Sequence, residues 1–216
     1  MTSELDAGSR LARVLEPEVM DTREVAVDYD AMDHRAVNRL FVDHLLQAAQ
    51  LAGIPLSTVD VPADAPPVAS LDVGAGTAQI PIELCGRNVR VHVTAIDLAA
   101  EMLALGRKNV EAAGLGAAIT LEQVDAKRLP YAVGRFDVVM SNSIVHHIPE
   151  PVHALREMVR VARPGGLLFV RDLMRPFDRP TLESIVERYA GDENDHHKKM
   201  FRESLHAALT LGEVRE

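Results

Sequence analysis

A single cysteine, no tryptophan and an aromatic share of only 4% are the conspicuous shortages of this 216-residue chain. With Cys85 alone, no intrachain disulfide can form, which excludes a secreted disulfide scaffold. With so few aromatic rings the core must be aliphatic, a composition that suits buried parallel strands. No apolar run approaches the roughly 20 residues that a membrane-spanning helix needs. The opening MTSELDAGSR contains acids and no apolar stretch, so it is no secretory signal, and the cytoplasm is the expected compartment. Positive charge is also short: 23 Lys and Arg stand against 32 Asp and Glu, a net charge of −9. Such a chain has no global attraction for phosphate backbones or anionic lipid, so neither nucleic acid nor membrane is the expected partner. What is present is 47% hydrophobic and 25% charged residues, close to the soluble average and enough for one ordinary domain with a small attachment.

Residues 1–29 read as irregular and polar, punctuated by Pro17. From Asp30 to Ala52 the pattern becomes helical, with Val37, Phe41, Leu45, Ala48 and Leu51 at three- or four-residue steps. Asp33 is the expected N-cap and Gly53 the expected stop. Pro55, Pro62, Pro66 and Pro67 mark a connector. Strands and helices then alternate. Strands are expected at 68–73, 91–96, 118–124, 136–141 and 167–172. Helices are expected through about Gly86, over 99–113 and over 151–162. Short strand–helix turns of this kind force a parallel sheet covered on both faces. Thr181 to Glu216 reads as helical. The expected organisation is an N-terminal helical cap and connector (1–67), a central α/β domain (68–175) and a C-terminal helical segment (176–216).

The sharpest local signal is Asp72-Val73-Gly74-Ala75-Gly76-Thr77-Ala78-Gln79, where a strand runs through glycines into a helix. Glycines permit a tight turn and close approach of a ligand, and the helix start beyond offers free N–H groups. The dinucleotide fingerprint fails because Gln79 stands where its third small residue belongs, and the phosphate-loop Lys is missing. Asp97 ends the second strand 21 residues after Gly76. A carboxylate there can accept hydrogen bonds from both hydroxyls of a ribose; its plain alternative is a turn acid or helix cap. Asp125 ends the third strand and has the same plain alternative.

Asp72-x-Gly74-x-Gly76-x-Ala78 resembles the first motif of class I S-adenosylmethionine-dependent methyltransferases, with Ala78 in place of the usual third glycine. Thr94-Ala95-Ile96-Asp97, Asp125-Ala126, Ser141-Asn142-Ser143 and the turn Arg160 to Gly166 follow in the family's order. The likeness covers residues 68–175 and is nearest to the ubiquinone/menaquinone-biosynthesis type. It implies a Rossmann-like α/β fold with strand order 3-2-1-4-5, S-adenosylmethionine as cofactor and S-adenosylhomocysteine as product. The implied cofactor residues are Asp72, Gly74, Gly76 and Thr77 in the loop, Asp97 and Leu98 at the ribose, Asp125 and Ala126 at the adenine, and Ser141. Tyr29 would fold over the cofactor, where an aromatic face suits a sulfonium; its plain alternative is a helix anchor.

Methyl transfer from a sulfonium needs alignment more than chemistry, and a weakly acidic acceptor also needs a base. His146 and His147, just past the fourth strand, are the candidates, against a bracing role by hydrogen bonds. No metal is expected: the other adjacent pair, His196-His197, and His153 lack ligand spacing, and neighbouring histidines rarely face one ion. The expected partner is a small-molecule acceptor. The alternatives are an RNA or protein methyltransferase, against which Ser141-Asn142-Ser143-Ile144 speaks because it lacks an Asn-Pro-Pro-Tyr-like run, and a non-catalytic binder of the cofactor. The resemblance also implies a terminal β-hairpin of two strands that is absent from this sequence. The fifth strand would then be an edge, expected to be covered by the C-terminal helices, by a second chain in a homodimer, or by downstream sequence.

Overall fold

The computed structural model describes residues 11–16, 21–56, 65–87 and 89–215, so Pro17 and Pro62 lie outside the described residues. The chain divides into two compact units. One comprises residues 19–144 and 150–171; the other comprises 1–18, 145–149 and 172–216.

The larger unit is a five-stranded parallel sheet in the order β3-β2-β1-β4-β5, the Rossmann-like arrangement expected. Its strands are β1 (Val68–Val73), β2 (Val91–Asp97), β3 (Ile119–Gln123), β4 (Phe136–Asn142) and β5 (Ala162–Arg171). Its helices are α1 (Arg23–Ala31), α2 (Arg35–Leu51), α3 (Gln79–Cys85), α4 (Ala100–Ala112) and α5 (Pro151–Val161). Both faces of β1 and β4 are buried, and apolar residues such as Val68, Leu71 and Val73 in β1 and Phe136, Val138, Val139 and Met140 in β4 are what two-sided burial selects. In register, Val73 pairs with Ile96 on one side and Ser141 on the other, while Asp97 pairs with Gln123. The loops after β3, β2, β1 and β4 therefore emerge side by side along the carboxyl edge of the sheet.

Three local expectations are corrected. Residues 23–29, expected to be irregular, belong to α1, because the Thr22 hydroxyl accepts from the Val25 N–H at 3.3 Å and caps the helix. His34, not Asp33, is the N-cap of α2; Asp33 accepts from the Arg35 backbone N–H at 3.1 Å and pairs with its guanidinium at 2.6 Å. β5 begins at Ala162, within the run read as a turn. Between the pairs Phe136–Ala162 and Val138–Leu167, four residues of β5 stand opposite one of β4, an irregularity that holds Gly165 at φ 74°. Arg163 crosses it to pair with Asp137 at 2.5 Å.

Helix α2 packs into the core of the sheet. Phe41, Val42 and Leu45 are fully buried with Val93, Ala95 and Met140, and the Phe41 ring meets Phe169 edge-on at 5.1 Å. At the free edge, Leu168 and Val170 on β5 are 38% and 37% exposed.

The smaller unit holds a 3-10 turn (Val145–His147), α6 (Arg179–Ala190), α7 (Asp195–Ala207) and α8 (Leu211–Arg215). Asp178 and Asn194 cap α6 and α7 through bonds of 2.9 Å to the Thr181 and His197 N–H groups. Leu182, Val186 and Leu205 make its small core. Arg13 ties the unit together, donating to the carbonyls of His146, Ile148, Pro149 and Ala207 at 2.7–3.1 Å. Among the described residues no helix is long and apolar enough to cross a membrane.

Because Phe41 is fully buried in the sheet's own core, Phe41→Ala is expected to cost about 3–5 kcal/mol. Urea denaturation checks it; a loss below about 1 kcal/mol would show that α2 adds nothing to that core.

Candidate functional site

The loop after β1 is built from left-handed backbone. Gly74, Gly76 and Ala78 have φ of 79°, 54° and 64°. Glycine takes this region without strain, whereas Ala78 stores on the order of 1–2 kcal/mol there. A Cβ on Gly74 would overlap the Ile144 side chain, so that position also requires glycine for space. Gly106 of α4 plays the same part from outside: a Cβ on it would press within 3.3 Å of the Thr77 backbone.

One carboxylate holds the loop open. Asp97 Oδ2 accepts from the Gly76 N–H at 2.8 Å, and its Oδ1 accepts from the Ala99 N–H at 2.9 Å, at the start of α4. Each oxygen keeps lone-pair capacity for a further donor. Burial raises the pKa of Asp97, and the backbone N–H groups of Ala99 and Gly76 oppose that rise.

Asp72, at the end of β1, is 2% exposed, and its Oδ2 has no hydrogen-bond partner. Burial, and then the charge of Asp97, push its carboxyl up to about 8. Thr77 Oγ1 is likewise buried without a partner, while its carbonyl accepts from Asn109 Nδ2 at 3.2 Å. Tyr29 lies across the loop, with its Cε1 3.7 Å from where a Gly76 Cβ would be. Burial, with the charges of Asp97, Asp72 and Asp30, raises the pKa of its phenol. The cavity beneath, lined by Tyr29, Asp72, Gly74, Thr77 and Asn142, has a volume of ≈ 20 Å³, about one water's worth.

The other expected residues fall along the same sheet edge with different duties. Leu98 offers its carbonyl to Gln123 Nε2 at 2.9 Å. Asp125 accepts from the Lys127 N–H at 2.9 Å in a turn of its own, and Ala126 beside it is buried. Ser141 is fully buried and donates to the Val73 carbonyl at 2.9 Å, so its proton is committed to bracing β4 against β1.

Sequence reasoning missed the polar network behind the loop. Asp30 Oδ1 accepts from both Gln79 Nε2 at 3.1 Å and Asn109 Nδ2 at 2.9 Å, and Gln79 Oε1 accepts from Asn38 at 3.2 Å. Gln79, which breaks the dinucleotide fingerprint, thus fastens α1 and α2 to the loop. A polar residue opening a helix where that fingerprint wants a small one was its signal.

The histidines lie in the smaller unit. His146 is 3% exposed and its Nδ1 sits 2.5 Å from Asp172 Oδ1, while Asp172 Oδ2 accepts from the Val145 N–H at 2.7 Å. His147 stacks on it with ring centroids 4.2 Å apart. Burial, and then the neighbouring His146, lower the pKa of His147 to about 4, so it is a poor proton acceptor near neutral pH. Glu16, absent from every sequence-based expectation, brings Oε1 within 3.2 Å of His147 Nδ1 and 3.5 Å of His146 Nε2.

The raised carboxyl of Asp72 sets a pH dependence. Its pKa is about 8 folded against 3.8 ordinarily, so between these values the fold holds a proton that the unfolded chain releases. Its contribution to stability is full below about 4 and is lost as pH rises through about 8, by at most ~1.4 kcal/mol per pH unit. Asp72→Asn should flatten this decline in urea titrations from pH 5 to 8; an unchanged slope would remove Asp72 as its source.

Comparison with known proteins agrees with this geometry. A family model described as a methyltransferase domain matches residues 71–170, from the end of β1 to the end of β5. The ubiquinone/menaquinone biosynthesis C-methyltransferase of Roseobacter denitrificans is 34% identical over 120 residues, 56% of this chain and 48% of that protein. A phosphatidylethanolamine N-methyltransferase of Cereibacter sphaeroides is 38% identical over 125 residues, 57% of this chain and 59% of that one. The chain spans about half the length of the curated relatives it matches. A solved plantazolicin methyltransferase in complex with SAH and a desmethyl analogue superposes with TM-score 0.67 at 18% identity, over 89% of this chain and 66% of that one, a likeness of fold.

Proposed function

We propose, from the membership of residues 71–170 in the methyltransferase-domain family, that this chain binds S-adenosylmethionine at the glycine loop and transfers its methyl group to a small molecule. The observation that carries the reading is the pair of buried, unpartnered oxygens, Asp72 Oδ2 and Thr77 Oγ1, at a loop that Asp97 holds in place. When bound, the cofactor supplies an activated methyl on a sulfonium. A buried carboxylate with no donor beside it calls for a cation or an N–H, and the cofactor has a sulfonium and an ammonium to offer. Asp97 has lone pairs left for two ribose hydroxyls. The Tyr29 ring lies beside Gly76, and an aromatic ring there suits a cation. The residues present therefore fit the group, and entry of so large a ligand requires Tyr29 or Ile144 to give way, since the cavity holds only ≈ 20 Å³.

The chemistry of the protein's own groups is alignment first. Where the acceptor must lose a proton, His146 takes the role expected of the histidine pair. Asp172 fixes its Nδ1, which leaves Nε2 to accept, whereas His147 is held at about 4. Both relatives named above act, by their names, on small molecules, one at carbon and one at nitrogen. The net charge of −9 favours this over an RNA acceptor.

Calorimetry with S-adenosylhomocysteine tests the cofactor site. Asp97→Ala is expected to lose about 1.5–3 kcal/mol per hydrogen bond, at least ten-fold in affinity, while circular dichroism stays unchanged. Unaltered affinity would reject the ribose role. Labelled S-adenosylmethionine with a panel of quinols and amines tests the transfer. Tight binding with no labelled product across that panel would favour the non-catalytic alternative. His146→Gln should depress turnover far more than cofactor affinity; equal turnover would leave it a brace.

A further inference from the structure

Three side chains in the smaller unit meet in a way that methyl transfer does not use. Glu16 Oε1 has His147 Nδ1 at 3.2 Å and His146 Nε2 at 3.5 Å, yet it makes a hydrogen bond to neither, and both Glu16 Oε1 and His147 Nδ1 are buried without any partner. An acceptor flanked by two ring nitrogens and bonded to none is costly in a dry site. The other ends of these groups are fastened. Ser204 Oγ reaches Glu16 Oε2 at 3.4 Å, and Asp172 Oδ1 grips His146 Nδ1 at 2.5 Å. The Arg13 guanidinium fixes the backbone by donating to the His146 carbonyl at 3.1 Å. The free atoms are therefore aimed and held.

From this we propose that Glu16, His146 and His147 form a binding site for one divalent transition-metal ion of the Zn²⁺ type. The three ligand atoms lie within 4.8 Å of one another. The spacings of 3.2 and 3.5 Å bracket the roughly 3.3 Å edge of a tetrahedron with bonds of about 2.0–2.1 Å. Two imidazoles and one carboxylate are a ligand set that zinc accepts, with a fourth position left for water. Asp172 behind His146 supplies the outer carboxylate that orients a ligating imidazole and fixes its tautomer. The Val145–His147 turn is what lets adjacent histidines face one ion: their rings lie 4.2 Å apart and are tilted by only 34°. The site stands whether or not the methyl-transfer reading holds. It also competes with the base role, because an ion on His146 Nε2 takes the lone pair that a proton would need.

The test uses the full chain, free of any histidine tag, titrated with Zn²⁺ by calorimetry and with Co²⁺ by visible absorption. One ion per chain is expected, with micromolar or tighter affinity and an intense visible Co²⁺ band of four- or five-coordinate character. Glu16→Gln and His147→Gln should each weaken Zn²⁺ at least ten-fold. Asp172→Asn should weaken it about 10–100-fold through orientation. The double change His196→Gln with His197→Gln, at the other adjacent pair, should leave affinity unaltered; His197 there is already engaged by Glu193 at 2.9 Å. The proposal is overturned by a wild-type chain that takes up no Zn²⁺, by Glu16→Gln and His147→Gln binding as tightly as wild type, or by loss of the ion in the His196/His197 variant. If a ligand variant fails to fold by circular dichroism, the wild-type Co²⁺ spectrum decides, and the pale spectrum of hydrated cobalt would reject the site.

Discussion

The carboxylate of Asp97 is the contact on which the larger unit's site depends. Two backbone N–H groups from different segments, Gly76 of the loop and Ala99 at the start of α4, converge on its two oxygens. Without that bridge, a loop with three left-handed residues, one of them the strained Ala78, has little reason to keep its shape. The sheet order makes the bridge possible, since β1 and β2 are neighbours in register and Asp97 leaves β2 one residue beyond the Val73–Ile96 pair. The cost falls on Asp72, buried near a second carboxylate with its Oδ2 unpartnered. That arrangement is poor for stability and suited to receiving a cation.

The alternation of strands and helices was legible because short apolar-rich strands such as Val138-Val139-Met140 of β4 recur between helical stretches of a different period. The loop was legible because its glycines answer to backbone angles rather than to packing. Boundaries were less so. Helix α1 rests on a threonine cap and one fully buried side chain, Ala26, too faint a stripe to see. The early start of β5 rests on the Arg163–Asp137 pair, whose members lie apart in sequence. Ser141 illustrates a different limit. The partner of its hydroxyl, the Val73 carbonyl, is set by the pairing of β4 with β1, which no local pattern encodes.

Long-range charge pairing hid the cluster at Glu16 for the same reason. Position 16 and positions 146–147 are far apart in the chain, and nothing around Glu16 distinguishes it from the other acids of an acidic sequence. Only the fold shows that its Oε1 faces two imidazoles and that Ser204 holds the other oxygen. The general expectation that neighbouring histidines diverge holds for strands and ordinary helices. The tight turn Val145–His147 is the local geometry that defeats it.

The stretch matched to known methyltransferases also divides the two sets of functional residues unevenly. Residues 71–170 include Asp72, Gly74, Gly76, Thr77, Asp97 and Asp125, and they also include His146 and His147. Tyr29, Glu16 and Asp172 lie outside it. The loop and Asp97 therefore belong to the stretch that this chain shares with its relatives. The groups that set the chemistry of the histidines, a carboxylate on His146 Nδ1 and another facing both rings, come from segments that the shared stretch does not reach. A fold contributes a place for a cofactor, while the residues around the reacting groups decide what is done there. In this chain Asp172 fastens His146 at Nδ1 and Glu16 faces it at Nε2, so the proposed base role and the proposed metal role fall on one atom. Which role prevails turns on whether an ion or a proton occupies His146 Nε2, a competition set by the metal's affinity and the pH.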